Sequence, residues 1–208
     1  MHMSLNFRKG ILWGVCCLAL PFLYGQEQDE TLESAIFGEI GVCYVVPFAH
    51  GNNFLSEGYG LGNGFTIDAF VVMGSNWFVG GQGSHFKGEV TNVAAVGAID
   101  KSGITHLHVM GGYSFINTGA NRIFLEMAMG IGHANYRHIK EFKRFRDDGF
   151  SLATTLSSSY RITKSIGVYL KLDSYWDFLE VTTAPELENF FGRTQTFAPS
   201  IGIKLYTF

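Results

Sequence analysis

Alternation with a period of two residues is the feature of this sequence that most limits its fold. Apolar residues alternate with polar or small ones, and clusters of Gly, Asn and Ser interrupt the alternation. Successive side chains of a β-strand point to opposite faces, so this pattern predicts strands that each have one apolar face. Little helical periodicity is present after residue 25. We therefore predict an all-β fold.

Eight segments carry the alternation, and each is long enough to cross a bilayer core when it is tilted. The predicted strands are Ile36–Pro47, Gly64–Met73, Asn76–Phe86, Gly103–Phe115, Arg122–His133, Phe150–Ile162, Ser165–Trp176 and Gln195–Thr207.

Short and long connections alternate between these strands. The short ones are Gly74–Asn76, Ile116–Asn121 and Thr163–Ser165, and the long ones are Phe48–Asn63, Lys87–Ser102, Ala134–Gly149 and Asp177–Thr194. Outer-membrane barrels have short periplasmic turns and longer outer loops. The pattern predicts an eight-stranded antiparallel transmembrane up-and-down β-barrel over residues 36–208.

The N-terminus has the order of a secretory signal peptide. The basic stretch MHMSLNFRKG precedes an apolar stretch, ILWGVCCLALPFLYG, that is short for a membrane span, and the polar residues QEQDE follow. We predict cleavage after Gly25, which leaves residues 26–35 as a short periplasmic segment. A lipoprotein signal is the weaker reading, because WGVC fits that motif poorly.

Composition excludes two classes of protein. Charged residues make up 16% of the chain and aromatic residues 15%, whereas soluble domains average about 25% charged residues. Low charge with many aromatic residues argues against a disordered chain. A net charge of −3 argues against a nucleic-acid partner.

Almost all charged strand residues fall on the less apolar strand face. The acids are Glu39, Asp68, Glu126 and Asp173, and the bases are Arg122, Arg161, Lys171 and Lys204. Lipid excludes charge, at about 2–4 kcal/mol for an Arg or Lys near the midplane. We therefore expect this face to line a closed, salt-bridged interior. Two alternatives are solvated charges near the rims and a narrow porin-like channel.

Two histidines, His106 and His108, share the polar face. A hydrogen-bonded interior pair is the favoured interpretation, because no third metal ligand accompanies them. An outer-membrane lipid-modifying hydrolase or acyltransferase is the alternative to a non-enzymatic role, with His133 at the outer end of a strand. Ser84 and His85 are adjacent, so they point to opposite faces and make a poor nucleophile–base pair. We predict no catalytic residue, cofactor or metal.

The third predicted loop carries the strongest positive charge of the chain. Its basic residues are Arg137, Lys140, Lys143, Arg144 and Arg146, and Tyr136, Phe142 and Phe145 lie between them. Such a loop could bind the phosphate groups of lipopolysaccharide. The alternative is a solvated loop whose bases pair with Glu141, Asp147 and Asp148.

The C-terminal segment SIGIKLYTF ends the last predicted strand on an aromatic residue. Lys204 shares parity with Tyr206 and Phe208, so these three cannot all face lipid. We expect Ile201, Ile203 and Leu205 to face outward and the terminal aromatic residue to point inward. The alternative is a β-bulge that shifts the register.

Three segments carry a resemblance to a known family: GEIGVCYVVP, GFTIDAFVVMGSNWFVGGQGSHFKG and SIGIKLYTF. The chain resembles the small outer-membrane β-barrels, with OmpA- and OmpX-like architecture, and the porin-family (PorT-like) outer-membrane β-barrel domains. The resemblance implies an outer-membrane monomer surrounded by lipid. It also implies that Gly202, Tyr206 and Phe208 form the signal read by the barrel-assembly machinery. It leaves the function open, and we predict a structural or surface-binding role performed through the four long outer loops.

Overall fold

The computed structural model describes residues 36–73, 76–116, 122–141 and 143–208. The predicted signal peptide, the predicted periplasmic segment 26–35, parts of two short connections and Phe142 lie outside the described residues.

The strands form one closed antiparallel sheet. Their bounds are β1 Gly38–Val45, β2 Phe48–His50, β3 Tyr59–Met73, β4 Trp77–Val90, β5 Lys101–Ile116, β6 Ile123–Lys140, β7 Lys143–Arg161, β8 Ile166–Glu180 and β9 Arg193–Thr207. Neighbours in sequence pair from β3 through β9, and β1 pairs with both β3 and β9, which closes the barrel.

The short strand β2 continues the line of β1 along β9. Val45 is paired with Ser200, and Phe48 is paired with Phe197. The two strands together therefore occupy one position in the barrel wall, and the prediction of an eight-stranded antiparallel barrel is confirmed.

The prediction of a long loop over Ala134–Gly149 is wrong, because β6 and β7 extend through this segment as a hairpin. Pairing runs without a register shift from Ile123↔Tyr160 to Lys140↔Lys143. The alternation of buried Tyr136 and His138 with exposed Arg137 continues the strand pattern. The many charges concealed that alternation, since exposed strand ends beyond a membrane need no apolar face.

Apolar side chains cover the outside of the barrel. Examples with more than half of their surface exposed are Leu107, Val109, Met129, Ile131, Ile201 and Ile203. Within the described strands, outward-facing Asp, Glu, Lys and Arg occur only toward the outer strand ends, beyond positions such as Leu107, Ile131 and Leu152. Such a surface matches hydrocarbon and not water.

Three short helices lie in the outer connections: α1 Phe54–Gly58, α2 Val93–Val96 and α3 Glu188–Gly192. Phe54 and Leu55 of α1 are buried at the outer mouth, and the Phe54 ring lies 5.9 Å from that of Tyr136. Because of these contacts, the first connection folds over the barrel opening. None of the helices described has the length and apolarity to cross a membrane.

Candidate functional site

Lys204 of β9 lies between two carboxylates inside the barrel. Its Nζ is 2.7 Å from Glu39 Oε2 and 2.6 Å from Glu126 Oε2. Ser157 donates a hydrogen bond of 2.9 Å to the same oxygen of Glu126. All four residues are buried, so the ion pairs replace the water that these charges have lost.

Lys171 of β8 forms a second cluster of the same kind. Its Nζ is 2.9 Å from Asp68 Oδ1 and 3.2 Å from Asp173 Oδ2. Gln82 Nε2 donates to Asp173 Oδ1 at 3.0 Å, and Thr155 Oγ1 donates to it at 2.6 Å. The cluster therefore ties together strands β3, β4, β7 and β8.

Tyr169 joins the two clusters. Its hydroxyl donates to Asp68 Oδ2 at 2.9 Å and accepts from Cys43 Sγ at 2.7 Å, and Lys204 Nζ lies 5.3 Å from its ring centroid. Gly41 leaves room for this ring, since a Cβ at that position would lie 2.3 Å from the tyrosine hydroxyl. Sequence reasoning did not single out Tyr169, although its parity matches that of Lys171.

Two of the eight predicted interior charges lie elsewhere. Arg161 is buried at the periplasmic end, with its guanidinium 5.3 Å from the Phe124 ring and 6.0 Å from the Tyr206 ring. Arg122 is half-buried just before β6. The other six predicted residues form the Lys171 and Lys204 clusters.

The two clusters line the same small cavity. A cavity of about 10 Å³ remains beside Lys171, Lys204, Phe78 and Tyr169, which is roughly the room that one water molecule needs.

His106 belongs to a third polar group, nearer the outer end. Its Nε2 lies 2.9 Å from Asp177 Oδ2, and its Nδ1 lies 3.2 Å from Ser84 Oγ. Tyr136 and Ser151 donate to the two oxygens of Asp177, each at 2.6 Å. Asp177 was predicted to start a loop, but β8 extends to Glu180.

His108 and Tyr175 extend this group toward the middle of the barrel. The His106 and Tyr175 rings are nearly parallel, with centroids 4.3 Å apart, and His108 Nε2 lies 2.9 Å from Ser151 Oγ. Both histidines are buried. The predicted interior pair thus lies inside a stack of rings and hydroxyls.

A fourth group lies beneath the outer mouth. Ser102 Oγ is 2.6 Å from His138 Nδ1, and Tyr59 Oη is 3.3 Å from the same nitrogen. Asp147 Oδ2 lies 3.1 Å from His138 Nε2, but outside hydrogen-bond alignment. Sequence reasoning missed this group, because all four residues were assigned to loops.

Both outer groups contain serine, histidine and aspartate in contact, as hydrolases do. The hydroxyls of a nucleophile must reach substrate, however, and Ser84 and Ser102 are exposed by only 3% and 2%. In the part of the chain that the structure describes, no group of three or more His, Cys, Asp or Glu is arranged to hold a metal ion. What the described residues of these groups show is hydrogen bonding across the lumen.

The five predicted basic residues divide between the two faces of the β6–β7 hairpin. Arg137, Arg144 and Arg146 lie on the outward face of the hairpin, which continues the lipid-facing side of β6 and β7. Lys140 and Lys143 lie on the other face, opposite each other. Arg137 and Arg146 are also directly opposite, and Arg146 Nε lies 2.7 Å from Asp148 Oδ2. Of the proposed solvated pairings, Arg146–Asp148 is therefore present.

Positive charge extends along this face to β4. Lys87 is paired with Gly103, which is paired in turn with Arg137. We call Lys87, Arg137, Arg144 and Arg146 the basic rim.

The last strand has the predicted register without a β-bulge. Ile201, Ile203 and Leu205 are exposed, Lys204 and Tyr206 are buried, and β9 pairs with β1 without a bulge. Phe208 does not point inward as predicted: it is 44% exposed. The strand ends at Thr207, so the parity that places Tyr206 inside no longer applies to Phe208.

A closed eight-stranded wall, an apolar outer surface and, below the outer strand ends, charges that all face the interior define a class of protein. The fold is that of the small outer-membrane β-barrels. Solved structures with this fold come from several bacteria, and three of them show how closely the chain follows the architecture.

The chain is similar to Neisserial surface protein A (NspA), with a TM-score of 0.60 and 10% identity over 82% of this chain and 97% of that one. It is also similar to Ail, the attachment invasion locus protein of Yersinia pestis, with a TM-score of 0.52 and 12% identity over 84% and 100%. OprG from Pseudomonas aeruginosa has a TM-score of 0.55 and 9% identity over 85% and 99%. No protein-family model and no curated protein matches the sequence.

Proposed function

We propose that this protein is a closed, non-conducting outer-membrane barrel with a structural or surface-binding role performed by its outer end. The observation that carries the proposal is the pair of interior clusters, in which Lys171 and Lys204 each lie between two carboxylates. A narrow channel would need these charges to stand apart and a continuous water path between them. The small size of the cavity that the two clusters line, about 10 Å³, supports closure.

Conductance across a planar lipid bilayer tests this closure. The mature chain, refolded in detergent and shown to be folded by a heat-dependent shift on an SDS gel, should give no steady current steps. The matched control is the same preparation after boiling. Reproducible steps that appear only with the unboiled protein would contradict the proposal and favour the channel.

The same proposal includes contact between the basic rim and phosphate groups of the outer leaflet. Arg137 and Arg146 lie directly opposite each other, and like charges in that position repel. Asp148 balances part of this charge through its ion pair with Arg146, and a phosphate in contact with both guanidinium groups would balance the rest. Arginine binds phosphate with paired hydrogen bonds. One barrel of this fold, Ail, has been solved in complex with the polyanion sucrose octasulfate, a heparin analogue.

Paired charge removals test this contact. The variant Arg137→Gln/Arg146→Gln and the control Lys140→Gln/Lys143→Gln remove equal charge from the two faces of one hairpin. Retention of phosphorylated lipid A through purification should fall in the first variant and not in the second. Equal retention by both variants and the unchanged protein would mean that the rim is simply solvated.

A non-enzymatic role is part of the proposal, and the burial of Ser84 and Ser102 supports it. We also propose that the chain is a monomer, because the barrel closes on itself and leaves β1 and β9 paired. The barrel-assembly machinery is its proposed partner during folding, with Gly202, Tyr206 and Phe208 as the recognised residues.

A further inference from the structure

The lipid-facing surface contains a depression that the sequence patterning does not reveal. A groove of about 680 Å³ lies on the outside of strands β4 to β8, lined by Val109, Gly111, Met129, Thr154 and Trp176 among others. Its floor has a simple origin. Gly111 lies between Val79 and Met129 in the sheet and has no side chain to fill the space between them.

The groove lies directly below the basic rim on the same strands. Leu152 at the groove and Arg146 at the rim are six residues apart on β7, which corresponds to about 20 Å along a strand. Strands tilted by about 45° through a hydrocarbon core of about 30 Å turn that distance into roughly the depth of one leaflet. Acyl chains at the groove and head groups at the rim therefore belong to the same leaflet.

Between the groove and the rim, the wall changes from mostly apolar to polar over two rows of paired residues. Leu107, His133, Phe150 and Phe178 are paired in one row, and Thr105, Asn135, Asp148 and Glu180 are paired in the next. The amide of Asn135 donates to Asp148, and His133 Nε2 lies 3.2 Å from the same oxygen. Because Asp148 and Glu180 of the polar row are acceptors, this order matches a molecule with a hydrocarbon tail, a middle that donates hydrogen bonds and an anionic end that reaches the arginines beyond.

We propose that the groove and the basic rim together bind one phosphorylated glycolipid of the outer leaflet, with an acyl chain in the groove and a phosphate between Arg137 and Arg146. This inference rests on the proposed function, because it needs the barrel to span the membrane with the β6–β7 hairpin outside. It adds a defined acyl-chain site to a rim that would otherwise attract any anion.

Filling the groove separates this site from general contact with lipid. A Cβ at Gly111 would meet no atom within 4 Å, so Gly111→Phe should fill the groove while the barrel folds. The matched control is Ile40→Phe, which places the same ring on the outward face of β1, across the barrel from β6 in the strand order. Thr154→Leu is a second variant that narrows the groove from β7.

Native mass spectrometry of the refolded protein with bisphosphorylated lipid A measures the number of retained lipids. We expect one retained molecule for the unchanged protein and Ile40→Phe, and loss of that peak for Gly111→Phe and Thr154→Leu. Equal retention by all four proteins would overturn the site. Equal retention of phosphatidylglycerol by the unchanged protein would overturn the choice of a glycolipid.

The heat-dependent gel shift, recorded on the same samples, keeps the two proposals apart. A missing shift in the unchanged protein would count against the membrane barrel itself. A normal shift with no bound lipid would count against the groove site alone.

Discussion

The ammonium group of Lys171 lies 2.9 Å from Asp68 Oδ1, and neither side chain is exposed by more than 3%. The chain is 103 residues long between these two positions, so the contact exists only once the barrel has closed. A buried charge without a partner would oppose folding, whereas these paired charges help to fix the positions of the strands. Their cost is offset only while every partner is present.

Removal of Lys204 tests this dependence in the neighbouring cluster. Lys204→Ala leaves Glu39 and Glu126 buried without their cation, so we expect the free energy of unfolding to fall by about 3–5 kcal/mol. Lys140→Ala, at an exposed site, should change it by less than about 0.5 kcal/mol. Urea unfolding in lipid vesicles measures both, and an equal effect of the two changes would contradict the assigned role of Lys204.

The contact between Gly41 and Tyr169 gives a prediction about packing. In Gly41→Ala the new methyl group would lie 2.3 Å from the tyrosine hydroxyl, and the resulting displacement should cost about 1–3 kcal/mol. Tyr169→Phe removes that hydroxyl together with its bonds to Asp68 and Cys43. In the double variant, part of the cost of Gly41→Ala should disappear, and strictly additive unfolding energies would show that the two residues do not interact.

The outer hairpin should depend on acid pH through Asp148. Burial by itself would raise the pKa of this carboxyl, but the Asn135 amide, the Arg146 guanidinium and His133 together hold the pKa below its ordinary value. A lowered pKa stabilises the folded form above the unfolded value of about 3.9, and that contribution is lost as the pH falls through the folded pKa. Hydrogen exchange of β6–β7 amides should therefore show little loss of protection from pH 7 to pH 5 and a loss only below about pH 4.

Asp148→Asn is the control for this pH dependence. It should weaken protection of the hairpin at pH 7 and remove the change at low pH. The same acid response in Asp148→Asn as in the unchanged protein would assign the effect to another group.

The two aromatic residues at the C-terminus should differ in what they do. Tyr206 is buried and donates to Ser159 at 3.1 Å, so Tyr206→Ala should destabilise the refolded barrel. Phe208 is exposed, and Lys164 Nζ lies 5.2 Å from its ring. We expect Phe208→Ala to leave unfolding in vesicles unchanged and to lower the amount of barrel assembled in cells. Unchanged assembly would remove Phe208 from the proposed signal.

Much of the fold follows from strand parity. Alternation puts Glu39, Asp68, Glu126, Lys171 and Lys204 on one face, and a membrane barrel must turn that face inward. Parity cannot tell which charges meet, because partners such as Glu39 and Lys204 lie 165 residues apart. Distances across the lumen depend on the stagger between strands, which alternation along a single strand does not determine.

The predicted strands end too early on the outer side, although the alternation of inward and outward residues continues there. Asp177 continues the series of Asp173 and Tyr175, and His138 continues that of Tyr136, yet both were assigned to loops because polar residues dominate there. Beyond the membrane a strand needs no apolar face, so the composition changes while the backbone does not. The groove at Gly111 was missed for another reason: it depends on small side chains in adjacent strands that only the register brings together.

Contact of the outer face with hydrocarbon is the central claim, and two tryptophans report on it directly. Trp77 and Trp176 are the tryptophans of the described chain, and both belong to the outward-facing series of their strands. The third tryptophan, Trp13, lies in the predicted signal peptide. In the mature chain, the variants Trp77→Phe and Trp176→Phe therefore each keep one tryptophan, whose fluorescence can be measured alone in vesicles with brominated acyl chains. We predict strong quenching of both tryptophans by bromine on the acyl chains and little by a water-soluble quencher. Protection from brominated chains, with quenching from water at both positions, would contradict a membrane-spanning barrel.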